Sequence, residues 1–153
     1  QLSARGAHAI MTPLLATAPL LSDLDLSGNA LGDAGIAALG GVLRRGIIER
    51  LRLAVNDIGP RGAAQIARFL TSASDAPSTS GKSSGGASTA QLAVLDLSYN
   101  RLGATGVQQL APCLDPNQCS TLRELSLEGN SLLDDGAKQL ARALANTVAR
   151  SST

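Results

Sequence analysis

The chain has 153 residues; 44% are hydrophobic but only 1% aromatic, and the formal net charge is +1. That length suits one domain, the near-neutral charge argues against a strong electrostatic partner such as bulk nucleic acid, and no apolar stretch approaches the roughly 20 residues that span a bilayer. A core with almost no rings must be built from Leu, Ile, Val and Ala, which suits thin, evenly spaced layers better than a single globular centre.

In chain order, one apolar skeleton recurs. A partial copy opens the chain over residues 1–20, with Leu2, Gly6, Ile10 and Leu14. The first full copy, 21–47, carries Leu21, Leu24, Leu26, Asn29, Leu31, Gly35, Leu39 and Leu43. The second, 48–71, places Ile48, Leu51, Leu53, Asn56, Ile58, Gly62, Ile66 and Leu70 in the same order. The third, 92–121, repeats it with Leu92, Leu95, Leu97, Asn100, Leu102, Gly106, Leu110 and Leu114. The fourth, 122–150, runs Leu122, Leu125, Leu127, Asn130, Leu132, Gly136, Leu140 and Leu144. Asn29 and Asn56 are 56 − 29 = 27 residues apart. The chain begins with Gln1 on a copy that lacks its strand half, so the whole of 1–153 reads as a single domain cut from a longer array.

Each copy holds two periods. Leu24-Asp25-Leu26 alternates apolar and polar, the pattern of a short strand with one buried face. Gly35, Leu39 and Leu43 step by four, one stripe of a helix. The unit is therefore strand, turn, helix. The asparagine ends the strand, where its amide bonds backbone groups that no ladder satisfies. Asn29, Asn56, Asn100 and Asn130 are expected to form a structural column. No unit buries its leucines alone, so neighbours must supply the burial.

The second and third asparagines are 100 − 56 = 44 residues apart. The excess falls in 72–90, rich in Ser, Thr, Gly and Ala, and reads as a disordered insertion. Within it, residues 76–83 imitate a phosphate-binding loop around Gly81 and Lys82. The flanks supply neither the preceding strand nor the following helix that such a loop needs. The same Ser/Thr cluster would accept phosphorylation. Pro112 and Pro116 should shorten the third helix. Arg44 and Arg45 suit the end of the helix in 21–47, and Asp33 and Asp134 suit helix starts.

The pattern Leu-x-x-Leu-x-Leu-x-x-Asn-x-Leu-Gly-Asp-x-Gly-x-x-x-Leu, from Leu21 to Leu39, resembles the ribonuclease-inhibitor-like class of leucine-rich repeats. The 27-residue step lies within that repeat's range of about 20–29 residues. The resemblance implies an α/β solenoid, a horseshoe arc with parallel concave strands and convex helices. The class includes ribonuclease inhibitors, Ran GTPase-activating proteins, NOD-like receptors, and scaffold proteins of cilia and the cytoskeleton, so fold alone does not fix function.

No acid, base, nucleophile or metal set converges in this sequence. His8 has no catalytic or ligand companion. Cys113 and Cys119 make no disulfide framework and fit no zinc spacing, so they read as buried thiols of a reducing compartment. Between the strand leucines, Asp23, Asp25, Arg50, Arg52, Val94, Asp96, Glu124 and Ser126 are expected on the concave side, with Glu128 and Tyr99, the sole tyrosine, just beyond. Of these, Asp25, Arg50, Arg52, Asp96, Tyr99 and Glu124 are the expected partner-binding residues. Extended concave surfaces favour partner recognition, and Tyr and Arg are enriched among residues that dominate binding. The reading is a non-enzymatic protein-interaction scaffold without cofactor, metal, nucleic acid, membrane insertion or small-molecule substrate. It is placed in the cytoplasm, in a ciliary or cytoskeletal assembly. The competing readings are a small-GTPase regulator like the Ran activators and the repeat segment of a NOD-like receptor.

Overall fold

A computed structural model describes residues 2–17, 21–44, 46–71, 91–115, 118–119 and 121–150. The insertion 72–90 with its phosphate-loop imitation, and the positions of Arg45 and Pro116, lie outside the described residues.

The elements alternate along the chain: α1 (Ala4–Thr17), β1 (Asp23–Asp25), α2 (Gly32–Arg44), β2 (Arg50–Arg52), α3 (Pro60–Thr71), β3 (Val94–Asp96), α4 (Gly103–Leu110), β4 (Glu124–Ser126) and α5 (Leu133–Arg150). The four strands form one sheet in chain order. All neighbours are parallel, with Leu24, Leu51, Leu95 and Leu125 in one row. Strands repeat about every 4.8 Å, whereas helices need about 10 Å each. The stack therefore bends with the strands inside, an α/β leucine-rich solenoid.

Burial follows from having neighbours. Leu51 and Leu95, with a strand on each side, are fully enclosed, while Leu24 and Leu125 in the edge strands are half-buried. Leu53, Leu97, Ile58, Leu102 and Ile66 extend the same continuous core. Full burial of such a side chain contributes about 1.5–3 kcal/mol. The partial unit joins in register: Ser3 bridges Ala30 in parallel, and Ala30 donates its N–H to the Leu2 carbonyl at 3.1 Å.

The asparagines stitch one unit to the preceding one. Asn100 Oδ1 accepts from the N–H groups of Asn56 (3.1 Å) and Ile58 (2.9 Å). Its Nδ2 donates to the carbonyls of Leu53 (2.9 Å), Leu97 (2.9 Å) and Ser98 (3.2 Å). Asn130 reaches back likewise, from Nδ2 to the Leu97 carbonyl at 2.8 Å, and accepts the Leu102 N–H at 3.3 Å. Asn29 accepts the Leu2 N–H at 2.7 Å. Asn56 donates to the Leu26 and Ala54 carbonyls, but its buried Oδ1 has no partner among the described residues.

The recurrent helix glycines answer a steric demand. A Cβ on Gly35 or Gly106 would lie 2.6 or 2.7 Å from the Cβ of Leu31 or Leu102, four residues earlier. Gly136 meets the Cβ of Leu132 in the same way, and a Cβ on Gly62 would lie 2.6 Å from Cγ2 of Ile58 and 2.7 Å from Oδ1 of Asp33. The bare Cα lets the first helical turn close over the buried leucine. Gly106→Ala is therefore expected to destabilise the fold by about 1–3 kcal/mol through overpacking, measured by urea denaturation. An unchanged midpoint would remove this explanation.

Asp33 departs from expectation. It sits in the first turn of α2, yet its Oδ1 accepts the N–H groups of Gly59 (2.7 Å) and Gly62 (2.8 Å) at the start of α3. The carboxylate serves the next helix because stacked units bring that open end within reach, and unpaired N–H groups there favour an anion. The third unit's helix is short: α4 ends at Leu110 and passes into a 3-10 turn, Ala111–Leu114, at Pro112. Cys113, within that turn, and Cys119 are buried and free. Burial, then the neighbouring Cys119, push the Cys113 thiol up to about 12, so it remains protonated at neutral pH.

Candidate functional site

Register places the outward side chains in two rows across the strands. One row is Asp23, Arg50, Val94 and Glu124; the next is Asp25, Arg52, Asp96 and Ser126. Strand alternation aims these residues away from the leucine core.

Arg50, Arg52, Val94, Asp96, Glu124 and Ser126, floored by Leu95, enclose a largely polar cavity of about 300 Å³. Four residues expected from sequence, Arg50, Arg52, Asp96 and Glu124, thus share one pocket. Arg52 is held on its other side by Asp23, Nη1 to Oδ1 at 2.9 Å, with both side chains about two-fifths exposed. Such a solvated pair contributes little stability, but it fixes where the guanidinium points. Asp96 Oδ1 accepts the Ser98 N–H at 2.9 Å. Among the described residues neither Arg50 nor Glu124 has an ion-pair partner, and both are exposed.

Asp25 lies beside the pocket, in register with Arg52. Its Oδ1 accepts the Ser27 N–H at 2.9 Å. That bond, then the Ser27 side chain and the charge of Arg52, hold its carboxyl below the usual value against the opposing effect of burial. Tyr99 is outside the pocket, past the end of β3. Its hydroxyl donates to Glu128 of the next unit, which, with the carboxylate's charge, raises the phenol pKa above its ordinary value. The ring lies over Gly129, where a Cβ would stand 2.5 Å from Cδ1. Asp23, Val94 and Ser126 stand in the same two rows, as strand alternation leads one to expect, and Glu128 joins this face through Tyr99.

Tyr99 and Val55 occupy equivalent positions, immediately before Asn100 and Asn56. Both have left-handed backbone, φ 54° and 55°. Gly28 and Gly129 hold the same position in the flanking units, at φ 70° and 67°. For an L side chain this conformation costs about 1–2 kcal/mol. Val55 and Tyr99 are each 54% exposed, so core packing does not compensate. Val55→Asn, which tolerates this backbone better, is expected to stabilise the chain by about 0.5–1 kcal/mol. A lower urea midpoint would contradict the strain assignment.

Among the described residues no His/Cys/Asp/Glu group could hold a metal, and no helix is long and apolar enough to cross a membrane.

A leucine-rich-repeat family model matches residues 17–40, 92–111 and 118–141. A Ran GTPase-activating protein of Drosophila melanogaster is 35% identical over 121 residues, 79% of this chain and 19% of that protein. A ribonuclease inhibitor of Sus scrofa is 29% identical over 173 aligned positions, 94% of this chain and 34% of that protein. The chain is a leucine-rich-repeat protein of the ribonuclease-inhibitor-like class. This leucine-rich-repeat chain spans only 19% and 34% of the length of those two relatives. Among solved structures it is similar to Leiomodin-1 Actin-Binding Site 2, with TM-score 0.59 and 12% identity, covering 94% of this chain and 90% of that one. That likeness concerns the fold of the leucine-rich-repeat arc.

Proposed function

We propose that this chain is a non-enzymatic protein-interaction scaffold that docks a partner on its concave strands. Asp25, Arg50, Arg52, Asp96, Tyr99 and Glu124 form the contact. The observation that carries this reading is the concave pocket, where Arg50 and Glu124 present charges that the described residues leave uncompensated. Strained, exposed Val55 and Tyr99 beyond the strand ends support it, since costly backbone persists where function retains it. A place in a cytoplasmic, cytoskeletal or ciliary assembly is part of the proposal. The structural likeness to an actin-binding site of leiomodin is compatible with it.

The test is a photo-cross-linking residue at position 50 or, as a convex control, at position 61 on α3, used in native extract. Cross-links from 50 alone, abolished when Arg52, Asp96 and Tyr99 are replaced by Ala, are the expected result. Cross-links from position 61 alone would overturn the reading. A small-GTPase regulator is the second reading, favoured by the 35% identity to a Ran GTPase-activating protein over 79% of this chain. Accelerated single-turnover GTP hydrolysis by a candidate GTPase would make it the first.

A further inference from the structure

We infer, resting on the concave-face reading, that the partner element is an amphipathic helix laid across the strands, with a carboxylate at one position and Lys or Arg seven residues later. Arg50, Val94 and Glu124 stand at one level of β2, β3 and β4. Cation, apolar spacer and anion therefore follow at single strand steps, with Arg50 and Glu124 about 9.6 Å apart along the row. On a helix, positions i and i+7 are about 10.5 Å apart and share a face, and i+3 and i+4 fall between them. An extended peptide returns to the same face only every 6.6–6.8 Å or so, which misses the strand step of about 4.8 Å. The second row, Arg52, Asp96 and Ser126, broadens the floor beneath a cylinder about 10–12 Å across. A carboxylate near the helix N-terminal end and a base nearer its C-terminal end also suit the helix itself. Its favoured direction therefore runs from β2 towards β4.

The test uses the full chain and labelled helical peptides of about 18 residues, with Glu at i, Leu at i+4 and Lys at i+7. One control moves the Lys to i+5, and another breaks the helix with a central proline. Fluorescence anisotropy at low salt should show the matched helix binding about tenfold or more tightly than either control. Arg50→Glu or Glu124→Lys alone should weaken it by a similar factor, and the double exchange should restore it with the helix reversed. Both changes are at exposed positions, and circular dichroism checks the fold. No binding of the matched helix, or indifference to either single change, overturns the inference. Tighter binding of the proline-broken peptide that still depends on Arg50 also overturns the helix, while the concave-face reading stands. That wider reading falls only with cross-links confined to position 61.

Discussion

Asn100→Ala is expected to lower stability by about 3–5 kcal/mol, the largest effect expected of a polar side chain among the described residues. The side chain is buried and spans two units, accepting from the Asn56 and Ile58 N–H groups and donating to the Leu53, Leu97 and Ser98 carbonyls. Alanine leaves two N–H groups without that acceptor, and each buried orphan costs about 1–3 kcal/mol. The loss is a large part of a typical total of about 5–15 kcal/mol. Because the bonds join the second unit to the third, the variant should also unfold in two phases in urea. Asn29→Ala removes three side-chain bonds, from a site that is only part-buried, and should cost less. A shift below about 1 kcal/mol for Asn100→Ala would show that the column contributes little cohesion.

Leu95→Ala is expected to cost about 2–5 kcal/mol, combining lost burial with a cavity. Leu95 is fully enclosed and sits in register between Leu51 and Leu125. Backbone ladders on both sides prevent the neighbouring strands from closing the gap. Leu24→Ala, in the half-buried edge strand, should cost distinctly less in the same urea experiment. Equal losses would mean that the leucine rows do not act as stacked layers.

The leucine rows and their register were legible because the skeleton recurs in phase. The 44-residue step from Asn56 to Asn100 leaves β2 and β3 paired in the same manner as the others. Concave placement of Arg50, Arg52, Asp96 and Glu124 followed from strand alternation alone. Less was legible wherever one side chain bridges units. Asp33 looked like a cap for its own helix, and only the stacked geometry shows it on the Gly59 and Gly62 N–H groups. The Asp23–Arg52 pair runs diagonally between strands, which a linear reading does not order. The seat of Tyr99 on Gly129 depends on an inter-unit distance. One signal was present and unread: Gly28 and Gly129 align with Val55 and Tyr99, and glycine in two of four equivalent places marks left-handed backbone.

The asparagine links have a direction. Asn29, Asn100 and Asn130 each accept an N–H from the unit before them, so the backbone at Leu2, Asn56 and Leu102 waits on a side chain encoded further along the message. During synthesis from the amino end, these N–H groups are expected to stay hydrated until the following unit arrives and its asparagine accepts them. The most recently made unit is then expected to be the loosest.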